Sequence, residues 1–107
     1  MKKLKFAQNL VPLVLDGSKT TTWRLFDDKN LSLGDRLEFI NAETGEKFAQ
    51  AEIVNMREKV LGDITEKDFT GHEMYKSKKE MLSTYEGYYG NAVDWDTVVK
   101  IIKFKLL

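Results

Sequence analysis

Charged and apolar side chains take turns in RLEFIN (residues 36–41) and again in TVVKIIKFKLL (97–107). In the latter, Ile102, Phe104 and Leu106 face one way and Lys103 and Lys105 the other. A period of two belongs to a strand with one buried face. KLKFA (3–7) reads as a short first strand, and TTTWRLF (20–26), rich in β-branched and aromatic residues, as a second. FAQAEIVNMREKVL (48–61) follows the turn AETGEK and reads as a long, bent return strand.

Helical signals fill the gaps. Asn9 offers an N-cap before LVPLVLD, with Pro12 tolerable in the first turn, where its missing N–H has no partner to lose. Gly17 is the natural left-handed stop. Thr65 with Asp68, and Ser77 with Glu80, form two capping boxes. Behind the second, Met81, Leu82, Tyr85 and one of Tyr88 and Tyr89 fall at helical spacing on an apolar face. The expected order is β-α-β-β-β-α-α-β. Five short strands with few helices predict a small α+β fold, a mostly antiparallel barrel with helices on its rim.

At 107 residues the chain is one domain, residues 1–107. Its 17 basic and 17 acidic residues cancel, which argues against attachment to nucleic acid by bulk charge but leaves room for a local basic cleft. The absence of cysteine excludes disulfides, thiolate metal sites and a cysteine nucleophile, and a lone histidine excludes His-pair zinc motifs. No cofactor or metal is expected. MKKLKFAQNL has a basic start but no apolar core of a signal peptide, and no apolar run is long enough for a membrane span. A soluble, cytoplasmic, monomeric protein is the expectation.

GSKTTTWR (17–24) concentrates the candidate chemistry. Threonine forms strands well, and Lys and Arg are ordinary on strand faces, so a solvated strand entry is the bland reading. Its position favours more. Lys19 follows a helix-stopping glycine at a strand mouth, and alternation sets Thr20, Thr22 and Arg24 against Thr21 and Trp23. With Thr21 and Trp23 turned into the barrel, two hydroxyls, a guanidinium and an ammonium converge on the opposite surface. Such a patch suits a ligand bearing carbonyls, hydroxyls or phosphates.

This octapeptide fits G-x-K-x-x-T-x-R and resembles the signature of the ASCH domain family, whose fold is similar to that of PUA RNA-binding domains. The resemblance extends to the helix ending at Gly17, to Leu33-Gly34-Asp35 before the next strand and to the closing strand, and so covers the whole chain. It implies recognition of RNA or a modified nucleoside in a cleft beside the motif. In some small members it implies hydrolysis of the acetyl amide of N4-acetylcytidine by a lysine, a threonine and a downstream glutamate. Carried onto this chain, these are Lys19 as base, Thr22 as nucleophile and an acid in TEKDFTGHEMY (65–75). Ungapped, the acid position falls on His72; a shift of one residue gives it to Glu73. Arg24, His72, Thr20 and Tyr89 are the expected ligand contacts. A binding module without turnover is the alternative, and a metal-independent ribonuclease the third reading.

Other residues carry weaker signals. Trp23 reads as core. Trp95 suits either a base stack or a cover for the barrel end. The lysines of KSKK (76–79) and of 100–105 read as solvated faces that gain phosphate contacts only if they border the cleft. Asp27 and Asp28 read as loop acids.

Overall fold

The computed structural model describes residues 1–107. Five strands, β1 (Lys2–Phe6), β2 (Thr21–Leu25), β3 (Arg36–Asn41), β4 (Lys47–Val60) and β5 (Val98–Leu106), form one sheet in the order β1-β3-β4-β5-β2. Only β1 and β3 run parallel; the other three pairings are antiparallel. Helix α1 (Val11–Leu15) follows β1, and α2 (Lys78–Tyr89) precedes β5. Three single 3₁₀ turns complete the regular structure, at Gln8–Leu10, Leu61–Asp63 and Glu66–Phe69.

The sheet curls into an open barrel, so the expected small α+β, PUA-like architecture is present. Its two free edges, β1 and β2, are joined by a side chain: Arg24 Nη2 donates to the Lys5 carbonyl at 2.9 Å. Inside the curl, Phe6, Phe39 and Phe104 pack ring on ring, with centroids 4.6 to 6.3 Å apart. Complete burial of a Phe or Leu contributes about 1.5–3 kcal/mol, and three Phe and three Leu are among the ten buried residues of this cluster. A second cluster lies on the outer face, where Trp23, Leu25, Val99 and Ile101 meet Met81 and Tyr85 of α2.

This arrangement reverses one expectation. Trp23 faces outward into the layer under α2, whereas Thr22 and Arg24 face the mouth of the curl. Cross-strand pairing shows why: Trp23 sits opposite Ile101 of the outer cluster, and Thr22 opposite Ile102 of the inner one. Both faces of β2 are covered, so alternation alone does not say which is interior.

Local signals were mostly accurate. Gly17 ends α1 at φ +85°, and Ser77 caps α2 by accepting from Glu80 N–H. The Thr65–Asp68 box forms, but on a 3₁₀ turn rather than an α-helix. Asn9 is not a cap: it lies inside the 3₁₀ turn, which delays α1 to Val11. In β4 the register slips between Ile53 and Asn55. This bulge accounts for the predicted bend and keeps both Ile53 and Met56 against the inner core.

Candidate functional site

Lys19 leaves the stop at Gly17 with its N–H tied to Leu13 O at 2.9 Å. The following residues are stitched to a distant loop. Thr20 N–H and Thr21 N–H both donate to Gly71 O, at 2.9 and 3.1 Å, and Thr21 Oγ1 donates to Thr70 O. That stitching carries residues 72 and 73 to the mouth of β2. Gly71 is required on two counts: its φ is +73°, and a Cβ there would lie 2.0 Å from Thr20 Oγ1. Gly71→Ala is expected to cost about 2 kcal/mol and to shift the loop, read as a lowered Tm with altered amide shifts at residues 70–73.

The result is a buried ion pair spanning 54 residues: Lys19 Nζ donates to Glu73 Oε2 at 2.6 Å. The Lys19 side chain is 3% exposed and that of Glu73 26%. Burial pulls the Lys19 ammonium below its ordinary pKa and Arg24 adds to this, with Glu73 opposing. Burial alone would raise Glu73, but His72 and Lys19 outweigh it and hold the carboxyl below its usual value.

His72 stacks on Trp23 with ring centroids 4.1 Å apart. Its Nδ1 lies 2.9 Å from the Glu73 carbonyl, which can only accept, so Nδ1 carries the proton. Nε2 then turns toward Glu73 Oε1 at 3.4 Å. Burial, followed by the nearby Lys19 charge, pushes His72 down to about 4. The ring is therefore neutral at pH 7, which leaves the bond from Lys19 as the main contact opposing the burial of the Glu73 carboxylate.

These groups border a cavity of about 440 Å³. Thr22, Arg24, Tyr85, Tyr88 and Tyr89 also line it, and Lys5 and Phe6 of β1 form the facing wall. Arg24 is already committed: Nε donates to Thr22 Oγ1 at 3.1 Å, and the guanidinium lies 4.8 Å over the Phe6 ring. Its geometry fixes Thr22 and closes β2 against β1. The Tyr89 hydroxyl oxygen accepts from Leu25 N–H at 3.4 Å, while Tyr88 is 59% exposed at the rim.

Of the residues singled out in sequence, Lys19, Thr22, Arg24, His72, Glu73 and Tyr89 come together here, and both Tyr88 and Tyr89 reach the cavity. Thr20 does not; it opens onto a separate notch behind β2. Trp95 is also absent from the lining, its backbone carbonyl accepting from Gly62 N–H near the other end of the sheet. Asp27 is bound by Lys100 at 2.6 Å, a loop-stabilising contact. The β1 wall of Lys5 and Phe6 carries no local signal in sequence; only the pairing of β1 with β3 places it there.

No family model matches the sequence, and no curated protein matches it significantly. Solved structures do match. The hypothetical protein PH0355 superposes with a TM-score of 0.75 at 22% identity over 100% of both chains. The ASCH domain from Lactobacillus crispatus gives 0.70 at 16% identity, over 92% of this chain and 70% of that one. The ASCH protein from Zymomonas mobilis gives 0.67 at 9%, over 96% and 65%. The chain thus has the fold of ASCH domains. No helix is long and apolar enough to cross a membrane.

Proposed function

We propose that this cavity binds an acylated cytosine nucleoside and hydrolyses its exocyclic amide, with N4-acetylcytidine as the substrate. The observation that carries the reading is the buried Lys19–Glu73 pair beside the Thr22 hydroxyl in one cavity. A volume of about 440 Å³ suits a small ligand, and the tyrosine wall suits a planar base.

Substrate entry removes water from Glu73 and favours the neutral form of the pair, with the proton on the carboxyl and a free amine on Lys19. Thr22 Oγ attacks the acyl carbon while Lys19 Nζ takes the hydroxyl proton. As the tetrahedral adduct collapses, the C–N bond breaks and Glu73 protonates the departing N4. Cytidine leaves, and the acetyl group remains as an ester on Thr22. Water then attacks that ester and gives its proton to Glu73, while Lys19 returns a proton to Thr22 Oγ. Acetic acid departs and the pair is restored. Arg24, through its bond to Thr22 Oγ1, holds the oxygen in place for both steps.

A chromatographic assay with N4-acetylcytidine tests this directly. Conversion to cytidine by the native protein, abolished in Lys19→Ala, is the expected outcome. No conversion at high protein concentration overturns it and leaves the cavity as a binding site, to be probed with nucleosides and RNA.

A further inference from the structure

Behind β2, on the outer face of the sheet, lies a second polar notch of about 230 Å³ that the proposed reaction does not use. The sheet register builds it. Asn55 of β4, Lys103 of β5 and Thr21 of β2 lie side by side in one row. In the next row Arg57 sits opposite Ile101, so Arg57 and Lys103 are diagonal neighbours on the same face. The bulge in β4 turns Asn55 to this side. Lys67 of the Glu66–Phe69 3₁₀ turn and Thr70 just after it form the far wall.

The charge in this notch is one-sided. Asp68 is the only carboxylate lining it, and its oxygens are already taken. Arg57 Nη1 reaches Oδ1 at 2.5 Å, Lys59 Nζ reaches Oδ2 at 2.8 Å, and Thr65 N–H donates to Oδ2 at 2.8 Å. Two cations on one buried carboxylate leave a surplus positive charge. Lys67 and Lys103 are exposed, form no ion pair and add two more. On a chain with no net charge, this is a local concentration of cations. Like charges on diagonal strand positions repel, and a multivalent oxyanion between them would relieve that repulsion. Asn55 and Thr20 add neutral polar groups that make no side-chain hydrogen bond within the protein.

We propose that this notch is an oxyanion site that takes a phosphate group through Lys67, Lys103 and the outer edge of Arg57, with Asn55 and Thr20 supplying neutral hydrogen bonds. The phosphate is either free, as inorganic phosphate or a monoester, or part of a nucleic-acid backbone. The proposal stands independently of the amidohydrolase reading, because none of these residues enters that reaction. Since Lys67 and Thr70 belong to the segment stitched to β2, a seated phosphate ties that segment to the sheet.

The test is a titration of the ¹⁵N-labelled protein with sodium phosphate, holding ionic strength constant with chloride. The expected result is saturable amide shifts at residues 20–21, 55, 67–70 and 103, with dissociation in the millimolar range. Lys67→Gln with Lys103→Gln alters only exposed side chains and is expected to weaken binding about tenfold or more. Asn55→Asp places a carboxylate in the notch and is expected to abolish binding while the spectrum stays dispersed. A nucleoside monophosphate and a short oligouridylate separate the sources. Affinity that rises only for the oligouridylate assigns the site to a nucleic-acid backbone, and equal affinities assign it to a free oxyanion. Linear, unsaturable shifts with all three phosphates, or saturable shifts unchanged in the variants, overturn the proposal.

Discussion

Replacing Glu73 by Gln is expected to lower kcat/KM for N4-acetylcytidine by about a thousandfold or more while leaving a folded protein. The amide keeps the shape of the side chain and can still accept from Lys19. It cannot take or return a proton, and both halves of the proposed cycle need that. The variant also has a signature outside catalysis. Glu73 is the main influence that keeps a proton on buried Lys19; without it the ammonium is 3% exposed and unneutralised. The pKa of Lys19 in the folded state is already below its unfolded value, and in the variant it falls further. The unfolded chain then binds more protons than the folded one between those two values, so stability rises as pH increases through that window. Denaturant unfolding at neutral and mildly alkaline pH reads this out. A loss of turnover without a steeper rise of stability with pH would mean that the pair is not coupled as the geometry indicates. Lys19→Met provides the complement: it is expected to lose turnover and to leave the half-buried Glu73 carboxylate without its counter-ion, so that the variant is destabilised at neutral pH and recovers stability as pH falls.

Asp68→Ala is expected to destabilise the fold by about 3 kcal/mol, because the carboxylate accepts charge-assisted bonds from two cations and also caps a turn. For a domain of this size that is a fall in Tm of about 12 °C or more. The pH dependence follows from the same contacts. Burial opposes ionisation, but Lys59, the Thr65 N–H and Arg57 outweigh it and hold Asp68 well below its ordinary value of 3.8. A depressed carboxylate contributes stability that is fully present above the unfolded pKa and is lost as pH falls through the folded one. The native protein should therefore lose stability progressively below about pH 4, and the variant should lack that part of the acid slope. Acid titrations of both proteins followed by circular dichroism make the comparison. Parallel curves would show that Asp68 is not the linked group.

The strands were legible because each carries a period-two pattern or a run of β-branched residues with turn chemistry at its ends. RLEFIN matches β3 residue for residue. The helix starts were less legible. Asn9 has the right chemistry for a cap, yet the chain first tightens into a 3₁₀ turn over Gln8–Leu10, and α1 begins at Val11 with no side-chain cap. The facing of β2 was hidden for a different reason. Thr22 and Trp23 are both buried, on opposite sides of the same strand, and no alternation can rank two covered faces. In the cavity, Lys19, Thr22 and Arg24 stand within one octapeptide and were readable from it. Glu73 was one of two neighbours, and the choice needed the Gly71 stitch, which turns residue 73 onto Lys19 and residue 72 onto Trp23. Lys5 and Phe6 were invisible as site residues, since their place in the wall comes from a pairing across more than thirty residues.

The position of β2 in the sheet also bears on how the protein is made. Its only strand partner is β5, some eighty residues further along the chain. During synthesis β1, β3 and β4 can pair as soon as each is made, but the strand bearing Thr22 and Arg24 has no ladder to join until residues 98–106 have left the ribosome. Until then its threonines and Trp23 are an unpaired, β-prone segment in a nascent chain. The cavity therefore cannot form before β5 is in place, and a chain stalled or truncated before β5 carries every residue that lines it with none of its geometry.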